Sequence, residues 1–211
     1  MKSLLAAAAV LAGITSASAV VFTPTPGDLG DLDHHNATKW GITWSVPAGE
    51  TITSAKLTIK NIWDWKVEND KLFIHLLDDP TSGVTSIVDN TADDVISDYF
   101  SGQGVLLTTW SDPYGGSARN FDLVYTFSAA NLVTLNNYLT DWNPSGTGDF
   151  GFGFDPDCHY YNNGVTFEVI TKRVPDNGGT LLLMSLGLLG LAAFAGSKAT
   201  VAAPCTARNR S

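Results

Sequence analysis

Apolar and polar residues alternate along much of the middle of the chain, which is the pattern of half-buried β-strands. In residues 51–60 the alternation places Ala55, Leu57 and Ile59 on one face. Period-two alternation and short apolar runs together predict eight strands, at residues 39–46, 51–62, 71–77, 84–88, 104–109, 120–127, 149–155 and 165–172.

One segment has helical rather than strand periodicity. Leu132, Leu135 and Leu139 recur at helical spacing, Ser128 is a suitable N-cap, and the pattern ends near Asp141. One helix among many short strands indicates an all-β fold, and we expect an antiparallel β-sandwich of the jelly-roll type. Clusters of turn-forming residues separate the strands, at residues 47–50, 79–83, 112–116 and 162–164.

The N-terminal segment has the three-part layout of a secretory signal peptide. Lys2 supplies a positive charge, residues 4–14 are apolar and rich in Leu and Ala, and Ala17 and Ala19 form a small-residue cleavage site. We expect cleavage after Ala19. The predicted division of the chain up to this point is a signal peptide at 1–19, an extended acidic lead-in at 20–38 and the sandwich domain at 39–173.

The C-terminal segment, residues 174–211, has the layout of a membrane-inserted signal. A motif at residues 174–180 precedes an uncharged apolar stretch at 181–196, which is expected to form a transmembrane helix. The tail at 197–211 carries three basic residues. Positive charge after the helix favours a cytoplasmic tail and therefore an external folded domain.

This C-terminal segment resembles the PEP-CTERM class of bacterial sorting signals, and within that class its VPDSG variant. The residues that match the motif of the variant are Val174, Pro175, Asp176, Gly178 and Thr180. Asn177 and Gly179 stand where the variant has serines. The resemblance implies export by the secretion machinery, then recognition and cleavage by a membrane-embedded exosortase. The chain is then expected in the outer envelope, at the cell surface or in the exopolysaccharide matrix.

The middle of the chain is strongly acidic. Residues 20–173 contain eight basic and twenty acidic residues, a net charge of −12. Such a surface repels phosphate backbones and argues against nucleic acid as a partner. It indicates either a solvated exterior or a source of carboxylates for a cation.

Cys158 and Cys205 lie on opposite sides of the predicted membrane helix, so no disulfide is expected. Cys158 is then either a buried apolar residue or a free thiol.

Two acidic segments are candidates for a calcium site. Asp155 and Asp157 follow a predicted strand, and Asp31 and Asp33 lie in the lead-in. Carboxylate oxygens are the ligands that Ca²⁺ prefers, and the first and last strands of a sandwich are often neighbours. The four aspartates are therefore expected to meet. The alternative is that Asp155 and Asp157 only form Asx turns. Zinc binding through His159 is disfavoured, because one Cys-His pair supplies too few ligands.

Aromatic residues near predicted loops are candidates for binding a sugar. A ring covers the apolar face of a sugar while neighbouring Asp and Asn side chains accept hydrogen bonds from its hydroxyls. If the strand continues past residue 62, Trp63 and Trp65 share a face. The alternative is that the rings fill the core, as most Trp and Tyr residues do. The candidate residues are Trp63, Trp65, Trp110, Tyr114 and Trp142.

The sequence contains no motif that identifies an enzyme. No Gly-x-Ser-x-Gly elbow frames a serine, and the many carboxylates do not single out a glycosidase pair. We therefore expect a non-catalytic protein of the envelope, surface or exopolysaccharide matrix, sorted by its C-terminal signal. The alternatives are a calcium-supported carbohydrate-binding module and, with less support, a secreted glycan hydrolase.

Overall fold

The structure is a computed structural model, in which the chain separates into two units at residues 1–173 and 174–211. The described residues are 17–67, 69–89, 96–116, 121–140, 148–174, 184–185 and 187–188.

The first unit contains two antiparallel sheets. The four-stranded sheet has the order β1-β9-β3-β7, with bounds Ala17–Phe22 (β1), Val165–Arg173 (β9), Glu50–Ile59 (β3) and Leu123–Thr126 (β7). The five-stranded sheet has the order β5-β2-β8-β4-β6, with bounds Gly83–Val88 (β5), Asn36–Trp44 (β2), Gly148–Pro156 (β8), Leu72–Asp78 (β4) and Val105–Trp110 (β6).

Phenylalanine rings from both sheets meet in the core. Phe167 of β9 lies 4.8 Å from Phe152 and 5.5 Å from Phe150, ring centroid to ring centroid, and both partners belong to β8. Phe22 of β1 and Phe127 also contact Phe167. Alternation explains the arrangement, because every second residue of β8 and β9 points inward. The prediction of an antiparallel β-sandwich is confirmed.

The predicted helix is present as α1, Ala129–Thr140, between β7 and β8. The backbone N–H of Asn131 donates to Ser128 Oγ at 3.2 Å, which is the capping bond that the sequence indicates. Leu135 and Leu139 are buried, and the helix contacts β3 and β8. The helical spacing of the leucines therefore places their side chains on one face of α1, and this face covers one flank of the sandwich.

β1 was not predicted as a strand. It begins at Ala17, inside the predicted leader, and pairs with β9 from Ala17 opposite Lys172 to Phe22 opposite Phe167. Within the described residues no helix is long and apolar enough to cross a membrane. Nearly all of the predicted membrane helix at 181–196 lies outside those residues, as does most of the sorting motif, of which Val174 alone is described.

Candidate cation- and ligand-binding site

Three loops meet at one end of the first unit: β3–β4, β6–β7 and β8–β9. Trp63 and Tyr161 exchange two backbone hydrogen bonds of 3.0 Å, which join the first loop to the third. The backbone N–H of Ile62 donates to Phe121 O at 3.0 Å, and that of Gly116 donates to Trp65 O at 2.7 Å. These bonds join the first loop to the second, so side chains from all three loops share this end.

The carboxylate of Asp112 fixes the relative position of two of these loops. Its Oδ2 accepts the backbone N–H of Asp64 at 3.0 Å, and its Oδ1 accepts that of Tyr114 at 2.9 Å. Gly115 permits the close contact, because a Cβ at this position would lie 2.4 Å from the carbonyl carbon of Lys66. Its φ of +58° also favours glycine.

Asp64, Asp70, Cys158 and Tyr160 form what we call the inner acidic group. Each of the four is at most 3% exposed. One oxygen from each aspartate and the Sγ of Cys158 all lie within 4.8 Å of one another. Of the two alternatives for Cys158, the structure shows a buried residue, and its Sγ lies 3.8 Å from Asp64 Oδ1.

The inner acidic group disfavours negative charge. Burial, reinforced by the carboxylates of Asp64 and Asp70, raises the pKa of Cys158 to about 12. Burial also raises the pKa of Asp64, and Asp70 and Asp112 add to the shift. The pKa of Tyr160 is raised by burial and by the same carboxylates. Asp64, Cys158 and Tyr160 therefore each hold a proton more tightly than they do in water, because their pKa values are raised.

Asp89, Asp98, Asp155 and Asp157 form a second cluster, the outer acidic group. Asp155 lies on β8 opposite Phe73 of β4, and its Oδ2 accepts the backbone N–H of Tyr99 at 2.6 Å. Asp157 Oδ1 accepts the backbone N–H of Ser97 at 3.1 Å, while its buried Oδ2 has no hydrogen-bond partner among the described residues.

Burial and like charges also shift the outer acidic group. Burial raises the pKa of Asp155 to about 7, and the carboxylates of Asp89, Asp157 and Asp98 contribute against the lowering effect of the Tyr99 hydrogen bond. Burial raises the pKa of Asp157 to about 6, with contributions from Asp70 and Asp89. An ion that bound here would oppose both shifts.

The lead-in aspartates belong to a third cluster, the histidine group. Asp31 Oδ2 and Asp33 Oδ1 each lie 3.7 Å from a ring nitrogen of His159, and Asp33 Oδ1 lies 3.1 Å from Nδ1 of both His34 and His35. Burial raises the pKa of Asp33, but the hydrogen bonds from His35 and the neighbouring histidines outweigh it and lower the pKa overall.

The structure therefore divides the four aspartates that were expected to meet. Asp155 and Asp157 contact the segment that contains Ser97 and Tyr99, whereas Asp31 and Asp33 contact histidines.

Two of the candidate aromatic residues are exposed in the joined loops. Trp65 is 59% exposed and Tyr114 is 62% exposed. Trp63 is half-buried and stacks on Tyr161 at 4.5 Å, so it does not share a strand face with Trp65. β3 ends at Ile59, whereas the predicted strand continued to residue 62.

The two remaining aromatic candidates do not extend this surface. Trp110 is half-buried between Phe121, at 6.0 Å, and Tyr160, at 5.4 Å, and packs against the core. Trp142 lies outside the described residues.

Sequence reasoning missed Asp64, Asp70 and Tyr160. Asp64 and Asp70 lie in one loop, but Tyr160 is far from them along the chain, and no spacing motif joins the three. The flanking tryptophans of Asp64 were the nearest signal, but they indicated an aromatic surface rather than a buried acid. No protein-family model and no curated protein matches this chain.

Proposed function

We propose that this chain is an exported, non-catalytic β-sandwich protein of the bacterial surface or exopolysaccharide matrix, and that its folded domain binds polysaccharide. The fold supports a binding role. The sheet orders β1-β9-β3-β7 and β2-β8-β4-β6, with β5 added beside β2, support the proposal of a jelly roll, an architecture found in lectin domains. Fold alone does not define function, so the argument rests on the surface of the joined loops.

The observation that carries the proposal is the exposed pair of Trp65 and Tyr114. Large exposed aromatic side chains on positioned loops are typical of binding surfaces rather than of a solvated exterior. Asp112 binds the backbone of Tyr114 directly and that of Asp64, the residue before Trp65. A common carboxylate therefore positions the backbone of the two loop segments that carry the rings, and a sugar can stack on a ring without ordering these segments first.

Removal of either exposed ring is expected to weaken retention on exopolysaccharide from the native host. Trp65→Ala and Tyr114→Ala should each raise the dissociation constant about tenfold, measured by affinity electrophoresis. Val88→Ala, an equally exposed apolar residue on the edge strand β5, is the control and should bind as the unmodified protein does. Equal binding by all three variants would contradict the proposal.

Calcium support is proposed for the outer acidic group through Asp155 and Asp157. A bound ion would satisfy the buried Oδ2 of Asp157 and compensate the like charges around it. Asp64 and Asp70 of the inner group and Asp155 and Asp157 of the outer group are buried. These four carboxylates do not resemble the solvent-facing pair that the hydrolase alternative requires.

Sorting by the C-terminal signal is a separate part of the proposal, and it rests on the residues of the motif. A reporter carrying the leader and residues 174–211 is expected to be exported and trimmed at the C-terminus in a host that has an exosortase. Asp176→Ala should leave it uncut, whereas Asn177→Ser, which restores the residue of the variant, should be cut normally. Mass spectrometry of the intact reporter distinguishes the two forms. A cytoplasmic reporter, or equal trimming of Asp176→Ala, would contradict this part.

A further inference from the structure

The inner acidic group brings unlike donor atoms together in a space that excludes solvent. One oxygen each of Asp64 and Asp70 and the sulfur of Cys158 lie within 4.8 Å of one another. Donors bound to one zinc ion lie about 2.0–2.3 Å from it, and hence roughly 3.3–3.8 Å from each other in a tetrahedral site. The distance of 3.8 Å between Cys158 Sγ and Asp64 Oδ1 is at the upper end of that range.

A second observation, independent of the acids, points to a ligand at the same place. Tyr160 is fully buried, and its hydroxyl has no hydrogen-bond partner among the described residues. Its electrostatic interactions are with Asp64, Asp70, Cys158 and, more weakly, Asp157, so the hydroxyl faces the inner acidic group. A buried polar atom left without a hydrogen-bond partner destabilises the fold, and a bound ion would remove that cost.

We propose that Asp64, Asp70 and Cys158 bind one divalent metal ion, with the Tyr160 hydroxyl as a fourth donor, and that zinc fits this site better than calcium. A cysteine thiolate is a ligand that zinc accepts readily, whereas calcium prefers oxygen ligands only. Four donors complete the coordination of zinc, while calcium takes six to eight. A closed, buried set of four donors is typical of a structural zinc site.

The positions of the donors along the chain fit a structural role for the ion. Asp64 and Asp70 belong to the β3–β4 loop, and Cys158 belongs to the β8–β9 loop. The ion would therefore cross-link two loops that the Trp63–Tyr161 backbone pair also joins.

Cobalt substitution tests the site directly, with the full chain purified in detergent and no polysaccharide present. Co²⁺ bound to a thiolate gives a near-ultraviolet charge-transfer band, and a tetrahedral site gives strong visible absorption. One equivalent of Co²⁺ is expected to bind with both signatures, and Zn²⁺ should displace it where Ca²⁺ does not. Cys158→Ser should abolish the charge-transfer band, and Asp70→Asn should weaken cobalt binding at least tenfold. Cys205→Ser is the matched control and should leave the band unchanged.

Several results would overturn the site. One is a charge-transfer band that survives Cys158→Ser, and another is cobalt that elutes separately from the protein on gel filtration. Displacement by Ca²⁺ with no thiolate band would overturn the zinc-type assignment. Metal analysis of the unmodified chain after dialysis against Zn²⁺ keeps the test valid if a variant fails to fold. None of these measurements involves a polysaccharide. A negative result would therefore contradict the metal site and leave the proposed polysaccharide binding standing, and a failure to bind polysaccharide would leave the metal site standing.

Discussion

In buffer containing EDTA, the free energy of unfolding is expected to fall by several kcal/mol as the pH rises from about 4 to about 8. The pKa of Asp155 is about 7 in the folded chain because burial and the nearby carboxylates raise it. In the unfolded chain the ordinary value of about 3.9 applies. Between these values the folded state binds more protons than the unfolded state, so stability decreases as pH rises. A shift of about three units is worth on the order of 4 kcal/mol for Asp155 alone.

Urea unfolding at a series of pH values measures this effect. Asp155→Asn cannot ionise and should flatten the dependence between about pH 5 and pH 7. Asp79→Asn, at an exposed carboxylate in a turn with positive φ, is the control and should retain the slope. If calcium binds Asp155 and Asp157 as proposed, millimolar Ca²⁺ should restore stability above about pH 6. A stability that is constant or rising over this range in EDTA would contradict the assignment of buried, protonated aspartates.

Truncation of Phe167 is expected to cost about 3–5 kcal/mol of folding free energy. The ring is fully buried and contacts Phe22, Phe127, Phe150 and Phe152, which come from both sheets and from the segment before α1. Phe167→Ala therefore leaves a cavity at the centre of the core as well as losing buried apolar area. Urea unfolding at fixed pH measures the change in the free energy of unfolding, and the melting temperature should fall in parallel.

The same substitution at an exposed ring serves as the control. Phe121 is 41% exposed and stacks on Trp110 at the edge of the core. Phe121→Ala should cost about 1 kcal/mol or less, since the ring is partly exposed to water and its removal opens no cavity inside the core. A cost for Phe167→Ala no larger than for Phe121→Ala would show that the two sheets do not share the core described above.

Local pattern was sufficient to predict most of the strands and the helix. Period-two alternation is a direct consequence of one buried face, so β3 and β9 lie close to the predicted ranges. β1 was missed for a physical reason. Its residues overlap the end of the apolar leader, and a short apolar run there indicates a signal peptide as well as it indicates a strand.

The clusters of acids could be predicted only in part. Asp155 and Asp157 were identified because they follow a strand within one short segment. Asp64 and Asp70 share one loop, but Tyr160 joins them only through the meeting of separate loops, and alternation along one segment contains no information about that. The lead-in aspartates contact His159 instead of Asp155. The chain bends at Asp157 and Cys158, so the regular alternation of β8 does not continue to His159. His159 faces Asp31 and Asp33, while Asp157 faces Ser97.

If the chain is exported as we propose, the pairing of β1 with β9 sets an order of events. β9 ends at Arg173, so the partner of Ala17 would become available only after almost the whole first unit had been synthesised and had crossed the membrane. Until then residues 17–19 would stay accessible to a peptidase. Once the sheet has closed, the same bonds are engaged in a ladder and withdrawn from the enzyme. The β1–β9 pairing joins residues far apart in sequence and should therefore form slowly. Slow pairing would leave time for the leader to be removed before the fold is complete.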